Sequence, residues 1–292
     1  MKQVKHISIN ELIDSTTQSN ICVDYKYGLT RRQIMEKYKI GDETVKRVLI
    51  HNHIPLITKP RYNRDFSFFD KIDTEEKAYW LGAIYADGNI SASEKYGAYH
   101  SSFSSIDKDW IEMFKSDISY EGPLIVEHHK KYDKDIWKLN FGNREITRQL
   151  IQIGCTPAKS MTMEFPTLPE NLVHHFIRGY FDGDGSVFVG KPTWHYKEID
   201  LILIKSSVIS GSKSFLERLV FELPCVNKKI YGVPGRLHNF TVTWNSSDTC
   251  ILYDYMYEGA TRYLPRKKAK FEEYFKVRGS TTIISDSNPK TE

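Results

Sequence analysis

The sequence predicts an α+β protein: a pseudo-twofold duplicated αββαββα saddle preceded by a small all-α helix-turn-helix domain. Three observations predict it. Two aromatic-rich helical segments each close on Asp-Gly, at Asp87 and Asp184, one small domain's length apart. Each is followed by the same alternation of strand-like and helix-like segments. The first 60 residues instead carry two short helical patterns and more basic than acidic side chains.

Residues 1–60 form the first expected domain. TRRQIMEKY reads as a helix opened by Thr30, with Ile34 and Met35 inward, and DETVKRVLIHNHI as a second, capped by Asp42 and striped by Val45, Val48 and Leu49. Two short helices across a glycine-containing turn are the helix-turn-helix pattern. Its second helix meets base edges and phosphates near its N-terminal end, which makes Thr44, Lys46 and Arg47 the candidate DNA contacts there. Pro55 and Pro60 close the unit, and residues 61–75, including RYNRDFSFF, read as a linker.

The first repeat is expected over 76–165. Its helix AYWLGAIYADG is followed by strand-like AYHSSFSSI, a helix DKDWIEMFKSDI, strands PLIVEHHK and DIWKLNFG, and a helix REITRQLIQIG. The second, over 166–278, runs through VHHFIRGYFDGDG, SVFVG, EIDLILIKSS, SKSFLERLVFEL, KKIYGV, HNFTVTWN and SDTCILYDYMY. Alternation puts Trp137, Leu139 and Phe141 on one face with Lys138 and Asn140 opposite, and Phe240, Val242 and Trp244 opposite Thr241, Thr243 and Asn245. Residues 279–292 are polar and unpatterned, and a disordered tail is expected.

Gly82 and Ala86, like Gly179 and Gly183, lie four apart on one helical face, which suits close helix-on-helix contact. Gly88 and Gly185 suit the left-handed position past a helix end. Asp87 and Asp184 then sit at helix C-termini, where the macrodipole disfavours a carboxylate by up to about 1 kcal/mol. A cation removes that conflict. Two hard oxygen ligands completed by water and phosphate oxygens are what Mg²⁺ (or Mn²⁺) prefers, and such ions drive phosphodiester hydrolysis.

On these residues the chain resembles the LAGLIDADG homing endonucleases of the single-chain, two-motif type, with the added N-terminal domain. The resemblance covers roughly residues 71 to 278. It implies a metal site at Asp87 and Asp184 with Gly88 and Gly185, and a basic residue near the scissile phosphate in each repeat, at Lys159 and at Lys267 within TRYLPRKKAKF. The sixth motif position, often acidic in the family, is Asp182 in the second copy and Tyr85 in the first. The four-stranded faces are expected to lie along the DNA major groove, with Ser102, Ser104, Lys138, Asn140, Lys205, Thr241, Thr243 and Asn245 as contacts and Arg266 and Lys268 on phosphates. The activity implied is Mg²⁺-dependent double-strand cleavage of a long asymmetric DNA site by a monomer that originates in a mobile element. Alternatives on the same fold are an intron RNA maturase and a catalytically silent DNA-binding regulator.

Composition sets limits on these readings. Forty-one Lys plus Arg against 37 Asp plus Glu give a formal charge of only +4 over 292 residues, so nucleic-acid binding must come from how charge is distributed. The four cysteines lie far apart without a C-x-x-C pair, which suggests neither a zinc cluster nor a disulfide framework and fits a reducing cytoplasm; the family resemblance implies a bacterial or phage-infected host. No apolar run approaches membrane-spanning length, and no membrane partner is expected. His51-Asn52-His53 spells a nuclease motif's name without its spaced residues, and Asp182-Gly183-Asp184-Gly185 lacks the Glu that closes an EF-hand loop.

Overall fold

The computed structural model describes residues 8–56, 62–131, 133–191, 202–225, 228–236 and 238–279. The chain divides into two units, Met1–Arg61 with Ala92–Ala98 and Tyr62–Ser91 with Tyr99–Glu292. No helix among the described residues is long and apolar enough to cross a membrane.

The N-terminal unit contains α1 (Ile9–Leu12), α2 (Ser15–Lys26), α3 (Arg31–Tyr38) and α4 (Asp42–His51). Thr30 caps α3 by accepting from Gln33 N, as expected of a threonine before an apolar-periodic run. Its stripe, Ile34, meets Val45, Val48 and Leu49 of α4 in a core shared with Ile21, Cys22 and Tyr25. Asp42 does not cap α4: Gly41 occupies that position in extended conformation, without a side-chain bond. Asp42 is the first helical residue, and its carboxylate holds Arg31 at 3.2 Å and Lys46 at 2.8 Å. An acid there still complements the helix dipole.

The larger unit opens with residues that are no linker. Arg64 is buried and donates to the carbonyl oxygens of Phe141 and Tyr62, and Phe68 and Phe69 are buried in the core. A buried guanidinium is stable only with such partners, so this segment is tied to the first repeat.

The repeat itself comprises α5 (Glu75–Asp87), β1 (Gly88–Ser93), β2 (Ala98–Ser105), α6 (Lys108–Asp117), β3 (Ile125–His129), β4 (Lys134–Asn140) and α7 (Arg144–Gln152). The second copy comprises α8 (Glu170–Asp184), β5 (Gly185–Gly190), β6 (Leu203–Ser210), α9 (Lys213–Glu222), β7 (Tyr231–Gly232), β8 (Phe240–Asn245) and α10 (Ser246–Tyr257). The order αββαββα therefore occurs twice. The sheets have matching orders, β1-β2-β4-β3 and β5-β6-β8-β7. The expected alternation holds: Leu139, Phe141, Val242 and Trp244 are buried, while Thr243, Asn245 and Lys205 on the opposite face are exposed. One apolar core runs through both copies.

A last helix, α11 (Pro265–Gly279), forms where the sequence pattern suggests only a basic surface. Pro265 starts it, where a missing N–H costs nothing, and Phe271 and Tyr274 are buried beneath it. Residues 280–292, the expected tail, lie outside the described residues.

Candidate active site

Helices α5 and α8 meet backbone to backbone. A Cβ added to Gly82 would lie 2.0 Å from the Phe176 carbonyl oxygen, and one added to Gly179 would lie 1.9 Å from that of Tyr79. Neither position has room for any side chain. At the lower end of the pair, a Cβ on Gly183 would come within 2.3 Å of the Ala86 methyl and 3.1 Å of Asp87 Oδ2. The small residues at i, i+4 spacing thus bring the two C-termini, and the aspartates that end them, together.

Each helix passes directly into a strand through its glycine. Gly88 has φ −75° and Gly185 φ −80°, so neither is left-handed as expected from sequence. Glycine is required for a different reason: a Cβ at Gly88 would lie 2.5 Å from the Ile84 carbonyl oxygen, and one at Gly185 2.4 Å from that of Phe181. The strand starts against the last turn of its helix.

Two buried lysines complete the arrangement. Lys159 Nζ donates to the Gly88 carbonyl and Lys267 Nζ to the Gly185 carbonyl, each at 2.5 Å. Lys267 also donates to the carbonyls of Phe181 at 2.8 Å and Gly183 at 2.9 Å in the last turn of α8, where Phe181 already accepts the Gly185 N–H. Of the basic cluster near the C-terminus, Lys267 is the residue that points inward. Arg266 is exposed and binds Asp107 through both carboxylate oxygens, and Lys268 lies 4.2 Å from the Tyr263 ring centroid.

The carboxylates are open to water on one side and crowded by protein on the other. Partial desolvation, then the neighbouring Asp184, pushes Asp87 up to about 6 against the pull of Lys267, Lys159 and Arg266. Burial also raises Asp184, opposed first by the neighbouring Tyr180 hydroxyl, which itself donates to the Ile209 carbonyl. Burial lowers Lys267 to about 8, against the pull of Asp182 and the two site carboxylates. Burial is thus the largest influence on all three groups.

Asp182 is not part of this surface. It is fully buried and accepts from Tyr79 Oη (2.9 Å), Tyr257 Oη (2.6 Å) and Leu264 N (2.7 Å). Tyr85, at the matching place in the first copy, donates to the Ile153 carbonyl at 2.8 Å. Farther up, buried Arg178 binds Glu75 at 2.6 Å and the carbonyls of Met256 and Arg262, and Arg262 binds Asp117 through both oxygens. Sequence reasoning missed Tyr180 entirely. The available signal was its position four residues before Asp184, one helical turn away on the same face.

The candidate DNA-contacting residues fall into two groups. Lys205 and Asn245 are direct partners across β6 and β8, Thr243 pairs with Ser207 two residues along, and all three candidates are exposed. Lys138 is half-buried and 3.7 Å from Glu127, with Ser104 opposite it; Asn140 is half-buried. Ser102 is closed to solvent, and the Thr241 hydroxyl donates to the Val208 carbonyl, so these two are not the free contacts that strand parity suggested. In α4, Thr44, Lys46 and Arg47 are half-buried, and Lys46 is engaged by Asp42 and Glu43 of its own helix.

Among the described residues no group of three His, Cys, Asp or Glu converges on a point. The donor set available to a metal is therefore Asp87 and Asp184, with water completing the shell. That fits a hard divalent cation, which keeps several waters and takes one or two carboxylates. The Gly88 and Gly185 carbonyls, expected from sequence as ligands, already accept lysine hydrogen bonds.

No family model matches the chain. It is 23% identical over 210 residues to the uncharacterized protein MJ0398 of Methanocaldococcus jannaschii, covering 69% of this chain and 71% of that protein. It is 27% identical over 187 residues to the uncharacterized protein MJ0314 of the same organism, covering 61% and 68%. Among solved structures it is similar to the I-LtrWI LAGLIDADG homing endonuclease bound to target DNA, with TM-score 0.47 and 13% identity over 74% of this chain and 92% of that one. The LAGLIDADG meganuclease I-AabMI bound to uncleaved DNA matches with TM-score 0.48 and 11% identity over 71% and 91%. I-DmoI in complex with DNA and Mn matches with TM-score 0.42 and 11% identity over 64% and 98%. Scores of this size assign no activity; what this chain can do follows from its own residues.

Proposed function

We propose that this chain is a divalent-metal-dependent endonuclease of the LAGLIDADG type that cuts both strands of a specific DNA site. The observation that carries the reading is the doubled end of the α5–α8 pair: two aspartates brought together by glycine contacts, each beside a buried lysine. A single Asp-Gly helix end is a common turn. Two of them, abutting and matched in their lysines, form a place where two phosphodiesters can be handled by equivalent chemistry.

In this reading Asp87 and Asp184 hold Mg²⁺ or Mn²⁺. The bound ion supplies an activated water and stabilisation of the leaving 3′ oxygen. The carboxylates must be ionised to hold it. Lys159 and Lys267 anchor the strand starts and carry positive charge beside the site, where it offsets the charge that develops on phosphorus. Lys205, Thr243, Asn245, Lys138, Ser104 and Asn140 are the base-edge candidates on the outward sheet faces, and Arg266 and Lys268 the phosphate candidates. Thr44, Lys46 and Arg47 belong to an N-terminal helix-turn-helix module that adds affinity by tethering, since linked modules share an effective concentration. The chain acts as a monomer because both half-sites are on it.

Cleavage of the native flanking DNA with Mg²⁺ tests the reading, comparing wild type with Asp87→Asn and Asp184→Asn. Discrete double-strand cuts lost in both variants are expected. Tight binding with no cutting by the wild type, on native and library targets alike, would overturn the nuclease.

A further inference from the structure

The outward face of the second sheet carries an aromatic ring in a polar setting. Phe188 of β5 is 56% exposed, and its partners across the sheet are Lys205 of β6 and then Asn245 of β8, both exposed. The next outward row, Ser186, Ser207 and Thr243, is polar throughout. It separates Phe188 from Ile209 and Tyr231, the exposed apolar groups that flank Thr241 on the same face. A ring standing among polar groups in this way suits a partner surface that is itself polar with isolated apolar points.

A lone exposed ring is ordinary on a protein surface, but this one has a prepared place. Gly190 follows two residues later on the same face, and a Cβ there would lie 2.7 Å from Phe188 Cζ and 3.1 Å from its Cε1. The tip of the ring therefore reaches over bare backbone, with half-buried Leu203 opposite Gly190. The ring is laid along the strand while more than half of the residue stays open to water. In the first copy Ser91 and Ser93 stand three and five residues after Gly88, where Phe188 and Gly190 stand after Gly185. Neither the ring nor its place is repeated there.

Three neighbouring strands span roughly 10 Å, close to the roughly 12 Å width of the DNA major groove. A row of Phe188, Lys205 and Asn245 can thus cross the groove over adjacent base pairs. Lysine and asparagine find hydrogen-bond partners on base edges there, while the apolar group that a base pair shows in that groove is the thymine 5-methyl. Resting on the reading of this chain as a site-specific DNA endonuclease, we propose that Phe188 is a specificity-determining residue that packs on a thymine methyl beside the bases met by Lys205 and Asn245. The contact belongs to one half of the target, because Ser91 offers no such surface to the other. Burial of one methyl group is worth about 4-fold in affinity.

The test uses the full-length protein and a random-sequence duplex library, selected by binding in chelator so that no cutting is needed. Wild type should select a thymine at a position where Phe188→Ala loses the preference, adjacent to positions that Lys205→Ala and Asn245→Ala alter. Ser91→Ala should leave that thymine selected. On the selected duplex, deoxyuridine in place of that thymidine deletes only the methyl. It should weaken wild-type binding about 4-fold and that of Phe188→Ala by less than about 1.5-fold. Unchanged selection by Phe188→Ala, or equal weakening of both proteins by deoxyuridine, would overturn the role of Phe188. Unchanged selection together with loss of a wild-type self-association in sedimentation would give the face to a second copy of the chain instead. Specific binding without cutting in Mg²⁺ would overturn the nuclease reading alone, and the deoxyuridine arm still decides for or against Phe188. A wild type that selects no sequence overturns both.

Discussion

Set side by side, the two copies agree in places that have no bearing on chemistry and differ close to it. In the first, buried Ser101 of β2 meets Thr147 of α7 at 2.8 Å; in the second, Ser206 of β6 meets Thr249 of α10 at 3.1 Å. Two residues before each site aspartate, by contrast, the hydrogen-bond polarity is inverted. Tyr85 gives a proton to the Ile153 carbonyl after α7, while Asp182 takes one from Leu264 N after α10. Both join the core helix to the chain leaving the third helix of the repeat. The position is kept and the chemistry exchanged, because either polarity satisfies a buried backbone group.

The largest expected effect tests what the copies share. Asp87→Asn and Asp184→Asn should each lower double-strand cleavage by more than about 100-fold, since each removes a ligand outright rather than its support. A variant that still linearises its target at the wild-type rate would mean the two acids are not equivalent.

Next come the contact glycines. Gly82→Ala and Gly179→Ala each drive a methyl into opposing backbone, and overpacking of that kind costs about 3 kcal/mol or more. Urea unfolding should give similar losses for the two. A loss at one only would show that the helix pair is not symmetric about this contact.

The inverted pair predicts a smaller, unequal effect. Asp182→Asn leaves partners of three hydrogen bonds imperfectly matched and should cost about 2–3 kcal/mol, whereas Tyr85→Phe removes one bond and should cost about 1 kcal/mol. Equal losses in denaturant titrations would contradict the assignment of Asp182 as a hub.

The smallest effect concerns pH. Metal-free Asp87 titrates near 6, above its usual 3.8, so the folded protein binds this proton more tightly than the unfolded chain does. The resulting stability is full below about 4 and is lost as pH rises through about 6. Without metal, Asp87→Asn should therefore be the more stable protein at pH 7, by no more than about 1 kcal/mol after solvent screening, with the gain vanishing at pH 4. Thermal melts in chelator at both pH values decide it.

Most of this frame is legible in the sequence because glycine and aspartate at helical spacing, repeated in matching context, rarely arise except where two helices must touch and end together. Strand parity is legible through simple alternation in β8, where Val242 and Trp244 are buried between exposed neighbours. Three things are not. Residues 62–75 lack any period, and nothing in RYNRDFSFF announces that Arg64 reaches carbonyls of a distant strand end. The glycines after the aspartates answer to an approach of strand to helix, which has no local signature. Helix α11 is hidden by its charge. Yet Lys267, Phe271 and Tyr274 follow 3.6-residue spacing, and that period singles out Lys267 from its basic neighbours.

The glycine contact between α5 and α8 also bears on how such a protein can change. Where side chains set the distance between two helices, each substitution in the core adjusts it. Here main-chain atoms set it, with nothing between them to enlarge or trim. The interval between Asp87 and Asp184 behaves as a ruler whose graduations are peptide groups, indifferent to drift in the surrounding residues. Under the proposed function, the sheet faces can then acquire new side chains, and with them a new target, while the spacing of the two aspartates is inherited unaltered.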